Sequence, residues 1–324
     1  MRRLSLCLVA AVGALVIVPA ALADGQPLLV TQGGPGVASH VPPRLHYVAI
    51  SDRAGGTLLE TLDVAHGGVF GWARLHGSWG IPAIGTGYST GQGLSRDGRT
   101  LILGSVGSPY VSPSKFLVVD TRRLKAVRTI SLEGMFTFDA LSPHGSRLYL
   151  IQYASARDLS HYIVRAYDLR AHRLIPGKIA DLSEDEKTMA GSAVTRTTSA
   201  NGRWVYTLYQ KPSGEPFVHA LDTVGARAYC IDLPENPALY NVVLSLRNGG
   251  RTLAVHWRSG RPWLNVAVGS WRISYPGSAF PWAWVGAGIG GGLAILAAAG
   301  ATLLLRRRRR QEVEQHAGQE LGLA

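Results

Sequence analysis

Three charged residues are the best placed to do chemistry. Asp139, Glu133 and Arg196 each lie close to a segment that reads as an innermost β-strand. Carboxylates converging there would serve as acid and base in a hydrolase or lyase acting on a lactone or glycan. That reading needs the acids, or a metal, to meet at one point. No recognised catalytic motif supports it: HExxH, GxSxG and a Gly-Lys-Ser/Thr phosphate loop are all absent. The run Gly85-Thr86-Gly87-Tyr88-Ser89-Thr90-Gly91 has the look of a phosphate loop but does not lead into a helix, and close packing of an inner strand explains it better. His219 and His256 lie on apolar strands and read as core residues, while His66, His76 and His161 show no metal-ligand spacing. Asp181, Glu184, Asp185 and Glu186 offer oxygen ligands for Ca²⁺ but lack EF-hand spacing, so the loop reads as solvated. No catalytic residue, metal ligand or cofactor is therefore assigned.

A second set of residues suits binding. The segments 104–114, 153–161, 210–215 and 257–261 read as equivalent loops on one face of the fold. They carry Tyr110, Tyr153, Arg157, His161, Lys211, Trp257 and Arg258, and aromatic and arginine side chains favour protein or glycan contact.

Those loops belong to a repeated module. Ser95-Arg96-Asp97-Gly98, Ser142-Pro143-His144-Gly145 and Ser199-Ala200-Asn201-Gly202 each precede a run of strand-forming residues, and Asn248-Gly249 repeats the turn more loosely. The glycines supply the positive φ of a tight hairpin turn. Further on, four of the modules carry an apolar strand that closes on an aspartate: Asp63, Asp120, Asp168 or Asp222. Such an aspartate bonds to the backbone two residues on and starts a turn, so the four are structural and not a catalytic set. Four short strands in about 45–55 residues is the period of a propeller blade. The expected fold is all-β, a β-propeller of about five four-stranded blades at 44–77, 94–134, 138–181, 196–235 and 242–276, plus one C-terminal transmembrane helix. The first module lacks an opening strand. Residues 28–31 either supply it or close the ring against the last blade.

In Ser142-Pro143-His144-Gly145-Ser146-Arg147-Leu148-Tyr149 and the Val164 to Asp168 strand that follows, the chain resembles bacterial β-propeller repeat proteins of the YVTN and WD40-like kind. The resemblance spans 44–276 and implies the propeller fold. It implies no activity, because propellers host enzymes, sensors and scaffolds alike. No Trp-Asp dipeptide ends a blade, and no complete Tyr-Val-Thr-Asn tetrad occurs.

The ends of the chain imply location. Arg2 and Arg3, an apolar run and Ala21-Leu22-Ala23 form a signal peptide over 1–23. An N-terminal segment (24–43), the propeller (44–276) and a linker (277–281) follow. Residues 282–305 carry no charge and are long enough to cross a bilayer. Trp282 and Trp284 stand at the interface, and Arg306, Arg307, Arg308, Arg309 and Arg310 begin a cytoplasmic tail, 306–324. The expected protein is thus single-pass in a bacterial cell membrane, N-terminus outside, with lipid contacted through one helix. The pairs Gly286/Gly290 and Gly288/Gly292 permit a helix-mediated homodimer, although a segment so rich in glycine holds that spacing by chance. The formal net charge of +12 owes much to the arginine run and is otherwise spread, so nucleic acid is not an expected partner. Past the signal peptide Cys230 is the only cysteine, which excludes an intrachain disulfide. The functional expectation is an extracytoplasmic module that binds a protein or cell-wall polymer, with the lactone or glycan enzyme as alternative.

Overall fold

The computed structural model describes residues 29–277, apart from 35, 53, 85–89, 108–111, 156–157, 184–188 and 236–237. The expected signal peptide, membrane helix with its glycine pairs, Trp282, Trp284 and arginine tail lie outside these residues, as do Tyr110 and Arg157. The chain divides into two compact units, Met1–Ile273 and Ser274–Ala324, and the architecture below is that of the first. Among the described residues no helix is long and apolar enough to cross a membrane.

Successive stretches of chain build successive antiparallel sheets. Strand β1 (Leu29–Thr31) stands apart from this order. The first sheet holds β2 (Val37–Ala38), β3 (Leu45–Ser51), β4 (Thr57–Asp63) and β5 (Gly68–Leu75). The second holds β6 (Trp79–Ile84), β7 (Thr90–Gly91), β8 (Thr100–Ser105), β9 (Ser114–Asp120) and β10 (Lys125–Leu132), and β1 joins it on β6. The third holds β11 (Met135–Leu141), β12 (Arg147–Ser155), β13 (Asp158–Asp168) and β14 (Arg173–Leu174), with β15 (Met189–Ala190) also on β13. The fourth is β16 (Ser192–Thr198), β17 (Trp204–Gln210), β18 (Pro216–Asp222) and β19 (Arg227–Asp232). The fifth is β20 (Val242–Arg247), β21 (Thr252–Trp257), β22 (Pro262–Ala267) and β23 (Ile273–Ser274). Five consecutive antiparallel sheets, each built from successive strands of the chain, with four of them contributing to one cavity, form a β-propeller.

Two expectations are corrected at the N-terminal side. The opening strand of the first sheet is Val37–Ala38, and residues 29–31 neither supply it nor pair with the last sheet. Instead Val30 lies opposite Pro82 on β6. The second sheet also opens earlier than residue 94. Its inner strand begins at Trp79 and Gly80, opposite Ser105 and Gly104, and then leaves the sheet. Residues 81–84 pair with β1 and β7, and the chain rejoins the sheet at Gly93, whose carbonyl accepts from Ile102 N. Of the glycine run, Thr90 and Gly91 lie in this excursion, and 85–89 lie outside the described residues. A Cβ on Gly91 would stand 1.7 Å from the Gly36 carbonyl oxygen, so at that residue close backbone packing does require glycine.

Packing explains why the middle blades read as unbroken apolar runs. Leu101, Ile102 and Leu103 on β8, Leu148 to Ile151 on β12 and Val205 to Tyr209 on β17 are buried at every position, because each sheet is covered on both faces. Leu101, Leu103, Leu117 and Val119 pack with the first sheet, whereas Ile102 and Phe116 pack with the third. The cluster of Ile102 and Phe116 continues from the third sheet to the fourth, and another joins the fourth to the fifth. The first sheet alternates instead: Leu45, Tyr47, Ala49 and Leu59 are buried, while Val48, Ile50, Leu58 and Leu62 are half-buried. None of the three buried clusters joins the fifth sheet to the first, and among the described residues no strand is shared between them.

Side-chain hydroxyls clasp consecutive blades. Thr57 Oγ1 donates to Gly77 O (2.8 Å) and accepts from Trp79 N (2.7 Å), at the entry to the second sheet. Ser114 does the same for the third, donating to Gly134 O (2.9 Å) and accepting from Phe136 N (2.8 Å). Thr57→Val keeps the shape but orphans the buried Trp79 N–H. It is expected to destabilise the fold by about 1–3 kcal/mol, read from the urea unfolding midpoint.

Candidate functional site

The turn signature forms as the residue types dictate. Ser95, Ser142 and Ser199 each accept from Gly98 N, Gly145 N or Gly202 N at the carbonyl, while their hydroxyls accept from the first residues of the next strand. The glycines have φ of 70°, 63° and 73°. The four strand-ending aspartates start turns as expected: Asp63 Oδ1 accepts from Ala65 N, Asp120 Oδ1 from Arg122 N, Asp168 Oδ1 from Arg170 N and Asp222 Oδ1 from Val224 N. Asp222 is fully buried, which would push its carboxyl up. Hydrogen bonds from Arg203, Gly225 N and Val224 N outweigh that and hold it down at about 2. Asp222→Ala is expected to destabilise by about 3 kcal/mol at pH 7, because it removes these bonds and strips Arg203 of its bidentate partner. The difference from wild type should shrink as pH falls from about 4 towards 2, a window set by the unfolded and folded values.

These turns gather at one end of the axis. A Cβ on Gly202 of the fourth blade would meet Arg96 Cβ at 2.9 Å, and one on Gly145 would meet Thr100 Oγ1 at 2.6 Å. Asp97 N donates to Pro143 O, and Asp97 Oδ2 lies 3.5 Å from His144 Nδ1. Just inside them lies a cavity of about 520 Å³. Its walls come from four blades: Val37, Leu94, Phe138, Leu141 and Val205 supply apolar surface. His40, His46, Gln92, Arg96 and Arg196 supply polar groups. Partial burial, then the neighbouring guanidiniums of Arg96 and Arg44, hold His40 below the usual imidazole range.

Arg196 is anchored behind this wall. Its Nη2 meets Asp139 Oδ1 at 2.5 Å, Nη1 donates to Asp139 O, and Nε donates to Thr207 Oγ1 at 2.8 Å. Both side chains are almost wholly buried. Asp139 sits at a bulge between Phe138 and Ala140, which turns it from the regular pleat. Glu133 precedes the other end of β11, exposed and accepting from Ser112 Oγ at 3.3 Å. Six residues of extended chain is about 20 Å, so Asp139 and Arg196 meet each other but Glu133 does not join them. His219, also buried, faces Tyr209 edge-on. Asp181 departs from the solvated-loop expectation: it is buried, with Oδ1 accepting from Ser183 and Oδ2 from Cys230 N at 2.8 Å.

The expected binding face lies at the opposite ends of the blades, where second strands turn into third strands. Tyr153 is not in its loop. It lies within β12, only 6% exposed, with its ring edge-on to Tyr162 at 5.9 Å. His161 is exposed on β13 opposite Ala190. Trp257 ends β21 half-buried and stacks on Trp263, and Arg258 follows it, exposed, with its N–H on Asn241 O. Lys211 is engaged by Asp232 at 2.9 Å. His161 is thus in the third blade and Trp257 and Arg258 in the fifth, with the fourth between them. The cavity was not foreseen, because its lining residues are spread from 36 to 205; the cationic Arg96 inside the turn motif was the one local signal.

No family model matches the chain, and no curated protein matches it. Among solved structures it is similar to the β-propeller domain of Swd1 from Myceliophteria thermophila (14% identity, TM-score 0.40), covering 72% of this chain and 63% of that one. It is also similar to a protein of unknown function from Desulfotomaculum acetoxidans (12% identity, TM-score 0.45), covering 76% and 70%. A third likeness is to TolB from Acinetobacter baumannii (10% identity, TM-score 0.40), covering 71% and 53%. The propeller assignment rests on the five sheets themselves.

Proposed function

We propose that this chain is an extracytoplasmic propeller that binds a protein partner, held at a membrane by residues 282–305 with 306–324 on the cytoplasmic side. The partner reading is carried by β5. This edge strand of the first sheet exposes Val69, Phe70 and Trp72, the last two at 64% and 66%. Edge strands are ordinarily guarded by charge or kept short. Here β10 carries Lys125 and Arg128, while β14 and β23 have two residues each. In β5 the only charge is Arg74, which Asp52 engages at 2.5 Å. An extended segment of a protein can add to such an edge through main-chain hydrogen bonds and bury the aromatics. A cell-wall glycan lacks a matching ladder of N–H and C=O groups, which favours a protein. The exposed loop-end residues His161 and Arg258, with Trp257, are the second candidate set.

Crosslinking and affinity capture from native membranes tests this. The Phe70→Ser/Trp72→Ser variant is expected to lose the captured partner at least tenfold, while His161→Ala/Trp257→Ala/Arg258→Ala retains it. The reverse pattern would move the interface to the loops, and no reproducible partner would overturn the reading. Separately, the full chain should stay in the membrane pellet through an alkaline carbonate wash, and a chain ended at residue 281 should not.

A further inference from the structure

We infer that the axial cavity is a binding site for a small organic anion, a carboxylate or phosphate head on an apolar body. Its volume of about 520 Å³ falls within the range of ordinary ligand pockets. The lining combines apolar wall, chiefly Phe138, Leu94 and Val205, with basic and amide groups, and it includes no aspartate or glutamate among the described residues. That imbalance selects charge. A neutral apolar ligand would leave the Arg96 guanidinium without a counter-charge, and a cation would meet Arg96 and two imidazoles.

Arg96 is the residue that would hold the anion. Its stem is fixed, because Cβ and Cγ lie 2.9 and 3.1 Å from the point where Gly202 would carry a Cβ. No ion pair to its guanidinium is recorded among the described residues, whereas the nearby Asp97 is already engaged by Ser95 Oγ at 2.6 Å, Arg99 N and His144. Arg196 plays a different part. Asp139 neutralises it, and its three bonds to Asp139 and Thr207 make it a rigid element of the wall, not a surplus cation. The unbalanced positive charge of the cavity is therefore that of Arg96, with His40 adding to it when protonated. In a partly enclosed site of low dielectric, one such charge attracts an anion far more strongly than it would in water. The site lies at the turn end of the axis, away from β5 and from the loop ends, so it stands or falls independently of the partner reading.

The test is titration calorimetry on the full chain in nanodiscs, with empty nanodiscs as reference. The probes are benzoate, phenyl phosphate and neutral benzyl alcohol. At least one anionic probe is expected to bind ten times more tightly than benzyl alcohol, and the ratio of benzoate to phenyl phosphate identifies the preferred head. Arg96→Gln, with its melting temperature unchanged, should weaken that probe at least tenfold, and Arg96→Lys should retain most of the binding. Equal binding of benzyl alcohol, undiminished binding by Arg96→Gln, or no saturation by either anion at millimolar concentration would overturn the assignment.

Discussion

Asp139→Ala is expected to destabilise the propeller by about 3–5 kcal/mol, a large part of the 5–15 kcal/mol typical of a folded domain. The substitution removes the carboxylate that accepts from Arg196 Nη2, leaves only the main-chain carbonyl of residue 139 and Thr207 Oγ1 as acceptors, and strands without a counter-charge a side chain that is only 2% exposed. An unpaired charge at that depth is far more costly than the lost hydrogen bonds alone. The pair is not expected to be worth much in itself, because taking two ions out of water offsets most of their attraction. Asp139→Leu/Arg196→Met should therefore recover most of the stability lost in the single variant. Urea unfolding of wild type, Asp139→Leu, Arg196→Met and the double variant forms a double-mutant cycle. A single variant within 1 kcal/mol of wild type would mean that water reaches Arg196. A double variant as unstable as the single one would mean that the pair holds the third and fourth blades together by more than charge compensation.

Acidification below pH 6.5 is expected to cost stability on the order of 3 kcal/mol by pH 4, through His219. The imidazole is 1% exposed, and its Nε2 has no hydrogen-bond partner among the described residues. Burial holds its folded value down to about 4, with Asp139 and Asp181 opposing and Arg196 adding to the effect. The unfolded chain binds this proton near 6.5, so between 6.5 and 4 it carries more protons than the folded one. Stability is then complete above 6.5 and falls as pH falls towards 4. His219→Leu should flatten the urea midpoint across that window. A wild-type midpoint that does not move between pH 7 and 4.5, or a variant with the same slope, would show that the ring is hydrated in the fold.

Both predictions concern contacts that no local pattern reveals. Asp139 and Arg196 are 57 residues apart, and the bulge that turns Asp139 towards its partner leaves no mark in the hydrophobic alternation. Tyr153 looked like a loop aromatic for a related reason. A strand covered on both faces has no period by which to place its end, so β12 runs further than its composition shows. Asp181 looked solvated because its neighbours are acidic, yet its partner is Cys230 N, 49 positions away. In the first sheet the opening strand is two residues long, too short for any pattern, and β1 finds its partner 50 residues on.

By itself the sequence determined whatever is settled within about five residues: the Ser-x-x-Gly turns, the aspartate turns, the strands between them and hence a five-fold β repeat. These are legible because donor and acceptor share a short loop and cost little entropy to bring together. Tertiary structure alone decided which turns crowd one another at the axis, which charges are neutralised and which remain, and which edge strand is left bare. Those outcomes depend on how five sheets pack. The same Arg side chain is a buried half of an ion pair at 196 and a charge facing a cavity at 96, according to what the neighbouring blade places against it.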